Sequence, residues 1–79
     1  MILRIITPNQ HSEYAIEWIE IESHYGKKII ENGHAPSLSS LKPNSVVQFL
    51  SDGKVHQKTI LRGFMKNDRT SVTLLLDAS

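Results

Sequence analysis

No stretch of eleven residues in this chain repeats apolar side chains at a helical period, and turn-forming residues interrupt it every 8–12 positions. Such a chain cannot present an apolar helical stripe, so its apolar residues must be buried from short strands. The side-chain inventory agrees. Ile, Val and Thr supply nine, four and four residues, whereas Ala supplies three, a balance that favours extended backbone over helix. At 79 residues the chain has room for one domain with a thin core.

Residues 2–6, Ile-Leu-Arg-Ile-Ile, read as a first strand stopped by Pro8 and Asn9. Residues 14–22 alternate, but their apolar side chains change faces between Trp18 and Ile19, which predicts two short segments joined by a bend or bulge. Gly26 marks a turn, and Lys28-Ile29-Ile30 a short strand. Residues 31–45 carry Asn32-Gly33, Pro36 and Pro43 and are expected to be irregular and non-helical. Residues 46–50 and 54–61 flank Asp52-Gly53, a primed hairpin turn. Gly63 breaks the chain again before Phe64 and Met65, and a polar turn at 66–71 leads to a closing strand at 72–76. These seven to nine segments predict an all-β fold, a small flattened β-sandwich with no helix longer than a turn. The expected core is Leu3, Ile5, Ile19, Ile21, Ile30, Leu41, Val47, Phe49, Ile60, Phe64, Val72 and Leu74.

Several function classes find no support. Nine basic and eight acidic residues leave a net charge of +1, which is no footprint for nucleic acid. The halves differ, with a net of −2 over residues 1–40 and +3 over 41–79, an asymmetry better suited to a protein partner. There is no cysteine, which excludes disulfides and thiolate metal sites and points to a reducing compartment. His11, His24, His34 and His56 lack a second ligand at metal-binding spacing. No serine sits in a Gly-x-Ser-x-Gly elbow, and Gly26-Lys27-Lys28 lacks the residues of a phosphate loop. No apolar run exceeds three residues, and the N-terminus lacks a signal-peptide pattern. Trp18, on a polar strand face, reads either as a partner anchor or as a cover over the sandwich's open edge.

The stretch from Gly33 to Pro43 carries the most specific pattern. Gly33-His34-Ala35-Pro36 followed by Leu41-Lys42-Pro43 resembles the signature of the N-terminal domain of the epsilon subunit of bacterial F-type ATP synthases. Other landmarks fall in matching order: Ile5-Ile6-Thr7-Pro8, Ile19-Glu20-Ile21 before Gly26, Gly63-Phe64, and Val72 to Asp77. The chain departs from the family where Ile29 and Arg62 stand for a frequent Gly and Asn32 for a frequent Pro. Read from the residues themselves, Gly33 permits positive φ, and the prolines fix the exit paths of a loop that then loses little entropy on docking.

The resemblance implies a sandwich of about eight to ten short strands acting as a non-catalytic rotor subunit, with no cofactor. It would couple the gamma subunit to the membrane c-ring, at the cytoplasmic face of a bacterial membrane and touching that membrane only through the complex. Ring-facing candidates are Gly26, Lys27, Asn32, Gly33 and His34; gamma-facing candidates are Thr7, Lys42 and Pro43. The family's paired C-terminal helices, which bind ATP in some members, have no counterpart before Ser79; the chain is either a naturally short member, the favoured expectation, or one from which the helical part is missing, and no ATP affinity is expected of it. Two other readings are a free-standing binding module using Trp18 and the basic stretch 54–69, and a small hydrolase using His34 and a nearby serine.

Overall fold

β-branched and aromatic residues at alternate positions set the strands, and Gly, Pro and Asn-rich breaks set their ends. The computed structural model describes residues 1–77 and contains nine strands among them: β1 (Ile2–Ile6), β2 (His11–Ala15), β3 (Trp18–Ser23), β4 (Gly26–Glu31), β5 (Ser37–Ser40), β6 (Ser45–Ser51), β7 (Lys54–Ile60), β8 (Gly63–Asn67) and β9 (Ser71–Leu76). No helix occurs among the described residues. Ala78 and Ser79, on which the expectation of a naturally short chain rests, lie outside them.

The strands form two sheets, one of five strands in the order β2-β1-β9-β8-β5 and one of four in the order β4-β3-β6-β7. The β1–β9 pair is parallel and the other strand pairs are antiparallel. Inward residues of both sheets make one core: Leu3, Ile5, Val72, Leu74, Leu76 and Met65 from the first, Ile19, Ile21, Ile30, Val47, Phe49 and Ile60 from the second. Leu41 joins them from an isolated bridge to Ser23, and Ile16 from the crossover between the sheets. The hairpin at Asp52-Gly53 has φ of 54° and 73°, the two left-handed residues a type I′ turn requires.

Three expectations are corrected. Phe64 is 54% exposed, and its neighbour Met65 is fully buried. Gly63, Met65 and Asn67 share the inward face of β8, and a polar residue at one inward position disguises the alternation. The break in residues 14–22 falls at Ile16-Glu17 rather than between Trp18 and Ile19, because the chain crosses from one sheet to the other there. Residues 37–40, expected to be irregular, form edge strand β5 against β8.

Candidate functional site

The antiparallel meander sorts the loops into two ends. One end holds the turns at Thr7–Gln10, Ser23–Gly26, Lys42–Ser45 and Ile60–Gly63. The other holds Ala15–Glu17, Glu31–Pro36, Ser51–Lys54 and Asn67–Ser71. The five residues singled out for the ring therefore do not lie together. Gly26 and Lys27 begin β4 and Asn32, Gly33 and His34 follow its end, about 17 Å away at the usual strand rise. Thr7, Lys42 and Pro43, singled out for gamma, share the end with Gly26.

At the Gly26 end, Gly26 takes φ of 115° in a tight turn. Ser23 clasps that turn, its hydroxyl donating to the Gly26 carbonyl (3.0 Å) and accepting from the Tyr25 amide (3.1 Å). Tyr25 projects fully into solvent and His24 is exposed beside it. The Lys42 amide donates to the Glu22 carbonyl (2.8 Å), and its ammonium lies 3.2 Å from the Glu22 carboxylate. Lys27 lies 3.9 Å from Glu20. Both ion pairs are solvent-facing and contribute little to stability. Pro43 precedes Asn44, whose φ is 58°, the arrangement of a type II turn.

The Gly33 end is more tightly held. Gly33 has φ of 88°, its amide donates to the Arg69 carbonyl (2.8 Å), and the Arg69 guanidinium donates back to the Gly33 carbonyl (3.4 Å). His34 is half-buried, with its amide on the Glu31 carbonyl (3.1 Å) and Nδ1 2.9 Å from the Ala35 carbonyl. A carbonyl only accepts, so Nδ1 carries the proton in this contact. Asn67, buried in β8, donates to the Ala35 carbonyl (3.0 Å) and accepts from the Ser37 hydroxyl. Beside it, Asp68 closes the turn into β9. Bonds from the Thr70 amide, the Ser71 hydroxyl and the Ser71 amide hold its carboxyl below its ordinary pKa.

Asn67 and Arg69 were not among the sequence candidates. The signal for Asn67 was present, a polar residue in register with the inward positions of its strand. Arg69 carried none, because its contact is made across 36 residues. Trp18 lies half-buried on the outer face of the four-stranded sheet between Glu31 and Leu50, not over an edge. The basic stretch 54–69 does not form one surface. Arg62 pairs with Asp77 at 3.2 Å, Arg69 turns to Gly33, and Lys58 faces between the sheets. On the outer face of the five-stranded sheet, Ile6, Leu75 and Phe64 form a cross-strand apolar row. Among the described residues, no group of three or more His, Asp or Glu could hold a metal ion, and no helix is long and apolar enough to cross a membrane.

No curated protein matches the chain. Solved structures share its fold, among them two from mitochondrial ATP synthases. One is from the Euglena gracilis mitochondrial ATP synthase, OSCP/F1/c-ring in rotational state 1, with a TM-score of 0.84 at 22% identity over 94% of this chain and 48% of that one. The other is from the Tetrahymena thermophila mitochondrial ATP synthase central stalk/c-ring, with a TM-score of 0.82 at 14% identity over 98% of this chain and 63% of that one. This chain thus spans from about half to under two thirds of those chains. The family model for the β-sandwich domain of the ATP synthase delta/epsilon chain matches residues 1–79. On that match, the chain belongs to the ATP synthase delta/epsilon β-sandwich family.

Proposed function

We propose that this chain is a non-catalytic central-stalk subunit of an F-type ATP synthase, joining the gamma subunit to the c-ring at the cytoplasmic face of a bacterial membrane. The observation that carries this reading is the family match over the whole sequence. A free-standing binding module has no comparable support.

Only one end of a sandwich can rest on a ring. We assign that role to the Gly26 end, where Tyr25 and Lys27 project on a turn clasped by Ser23. Lys27 there offers a largely exposed cation, 3.9 Å from Glu20, to carbonyl-rich or acidic loop tips. Thr7, Lys42 and Pro43 border the same end and stand where gamma and ring meet. The Gly33–His34 loop and its neighbour Asn32, at the far end, then face gamma as a preorganised element. The apolar row of Ile6, Leu75 and Phe64, on the outer face of the five-stranded sheet toward the Gly26 end, supplies a further contact for gamma, since exposed apolar clusters on a small domain mark protein interfaces.

Reconstitution tests this. Proteoliposomes holding a synthase stripped of its delta/epsilon-type subunit should regain proton-driven ATP synthesis on adding the chain. Lys27→Glu should weaken ring attachment and His34→Ala gamma attachment. No recovery with the parent chain would overturn the proposal.

A further inference from the structure

The two sheets part along one side, where edge strands β2 and β7 face each other across a cleft of about 350 Å³. Strand register dictates its lining. Ser12 and Tyr14 pair with buried Ile5 and Leu3, and His56 and Lys58 pair with buried Phe49 and Val47. Directly paired residues share a sheet face, so all four point inward from opposite edges. Phe49 forms the floor. Its ring lies 5.0 Å from Tyr14 and 5.1 Å from His56, the latter stacked at an interplanar angle of 11°.

The other open side has a lysine in the equivalent place. Lys28 of β4 faces inward opposite buried Ile21, and its ammonium donates to the hydroxyls of Ser37 (3.2 Å) and Ser39 (3.5 Å) across the gap. That side is latched. Inward lysines on edge strands also block edge-to-edge pairing, and Lys28 shows that this role is compatible with a satisfied ammonium. Lys58 has no such partner. Among the described residues no carboxylate lies within 4.0 Å of it, and the Ser12 hydroxyl, the Tyr14 hydroxyl and the His56 ring make no side-chain hydrogen bond. Glu13, between Ser12 and Tyr14 in sequence, turns to the outer face with Arg4 (3.7 Å) and His11 (3.6 Å). The cleft therefore combines one uncompensated cation, unpaired hydroxyl groups, an aromatic floor and no acidic lining.

We propose that this cleft binds a small aromatic carboxylate, with its carboxylate on Lys58 and Ser12 and its ring against Tyr14 and His56. The cation and hydroxyls select an oxyanion, and a volume at the small end of ligand sites suits a single ring with its substituent. A lone lysine presents a point charge, so no bidentate geometry is demanded of the ligand. The site is separate from the loops assigned to gamma and ring, apart from Thr7 and Gln10 at its rim. It does not depend on the central-stalk assignment.

Amide NMR titration of the chain with benzoate is the test. Acetate supplies the charge without the ring, and benzyl alcohol the ring without the charge. Benzoate should give saturable shifts at Ser12, Tyr14, His56 and Lys58, with both comparators weaker. Lys58→Met keeps the aliphatic stem and should weaken benzoate about tenfold or more, the loss expected for a charge-assisted bond. Ser12→Ala should weaken it less, and Lys58→Arg should retain it. Shifts that do not saturate, that map elsewhere, or that persist unchanged in both Lys58→Met and Ser12→Ala would overturn the proposal.

Discussion

Replacing Asn67 by Leu removes the polar groups that tie the Gly33–Pro36 loop to the sandwich while keeping the branched shape of the side chain. Asn67 is 2% exposed; its amide donates to the carbonyls of Ala35 (3.0 Å) and Asp68 (3.3 Å), and its oxygen accepts from Ser37. Leu leaves the partners without these bonds. The Lys28 ammonium still donates to the Ser37 oxygen at 3.2 Å, but an ammonium cannot accept, so the loss falls on the Ala35 carbonyl and on the Ser37 O–H. An orphaned, partly buried polar group costs about 1–3 kcal/mol, and each lost neutral bond about 1 kcal/mol. Together these give about 2–3 kcal/mol, or ~10–20 °C in Tm for a domain of this size. Urea denaturation followed by Trp18 fluorescence measures the change. Hydrogen exchange should locate it, with faster exchange at Gly33 and His34 than at the β6 amides. A loss under about 0.5 kcal/mol with unchanged exchange at Gly33 would refute the reasoning that Asn67 holds this loop.

Other outcomes follow from the same packing. Met65→Ala should cost about 2–5 kcal/mol, whereas Phe64→Ser should be nearly neutral, because Met65 is buried and Phe64 is 54% exposed; denaturation midpoints of the pair check the register of β8. Gly63→Ala should destabilise by about 1–3 kcal/mol, since a Cβ would lie 2.7 Å from Leu76 Cδ2 and press on the Leu75 carbonyl, which thermal unfolding reads directly. Asp68 has a folded-state pKa below its ordinary 3.8. Its stabilising effect is therefore full above the unfolded pKa and is lost as pH falls through the folded value. Urea midpoints of the parent and Asp68→Asn should differ near neutrality and converge in acid. Calorimetry of the 79-residue chain with Mg-ATP should show no saturable heat, because Gly26-Lys27 lacks the rest of a phosphate loop.

Strands with clear alternation were legible in the sequence. β1, β6 and β7 combine β-branched residues with punctuating Pro or Gly, and the Asp52-Gly53 turn needs two left-handed residues that this pair tolerates. β5 was not legible, because Ser37-Leu38-Ser39-Ser40 has weak strand preference and is held as an edge by β8 and by the Lys28 latch. The Phe64 parity failed because Asn67 occupies an inward position through bonds to residues some thirty positions away. At the candidate site, Gly33 and His34 could be read from their own conformational and chemical character. That Gly26-Lys27 and Asn32-Gly33-His34 occupy opposite ends could not, because the length of β4 separates them and its start at Gly26 was not evident.

Capture of purified subunits by the immobilised chain tests the central-stalk reading most directly. The gamma subunit should bind saturably, the detergent-solubilised c-ring should be further retained once gamma is bound, and Lys27→Glu should weaken ring retention. Absence of gamma binding by the folded chain, with its β-sheet spectrum intact, would contradict it.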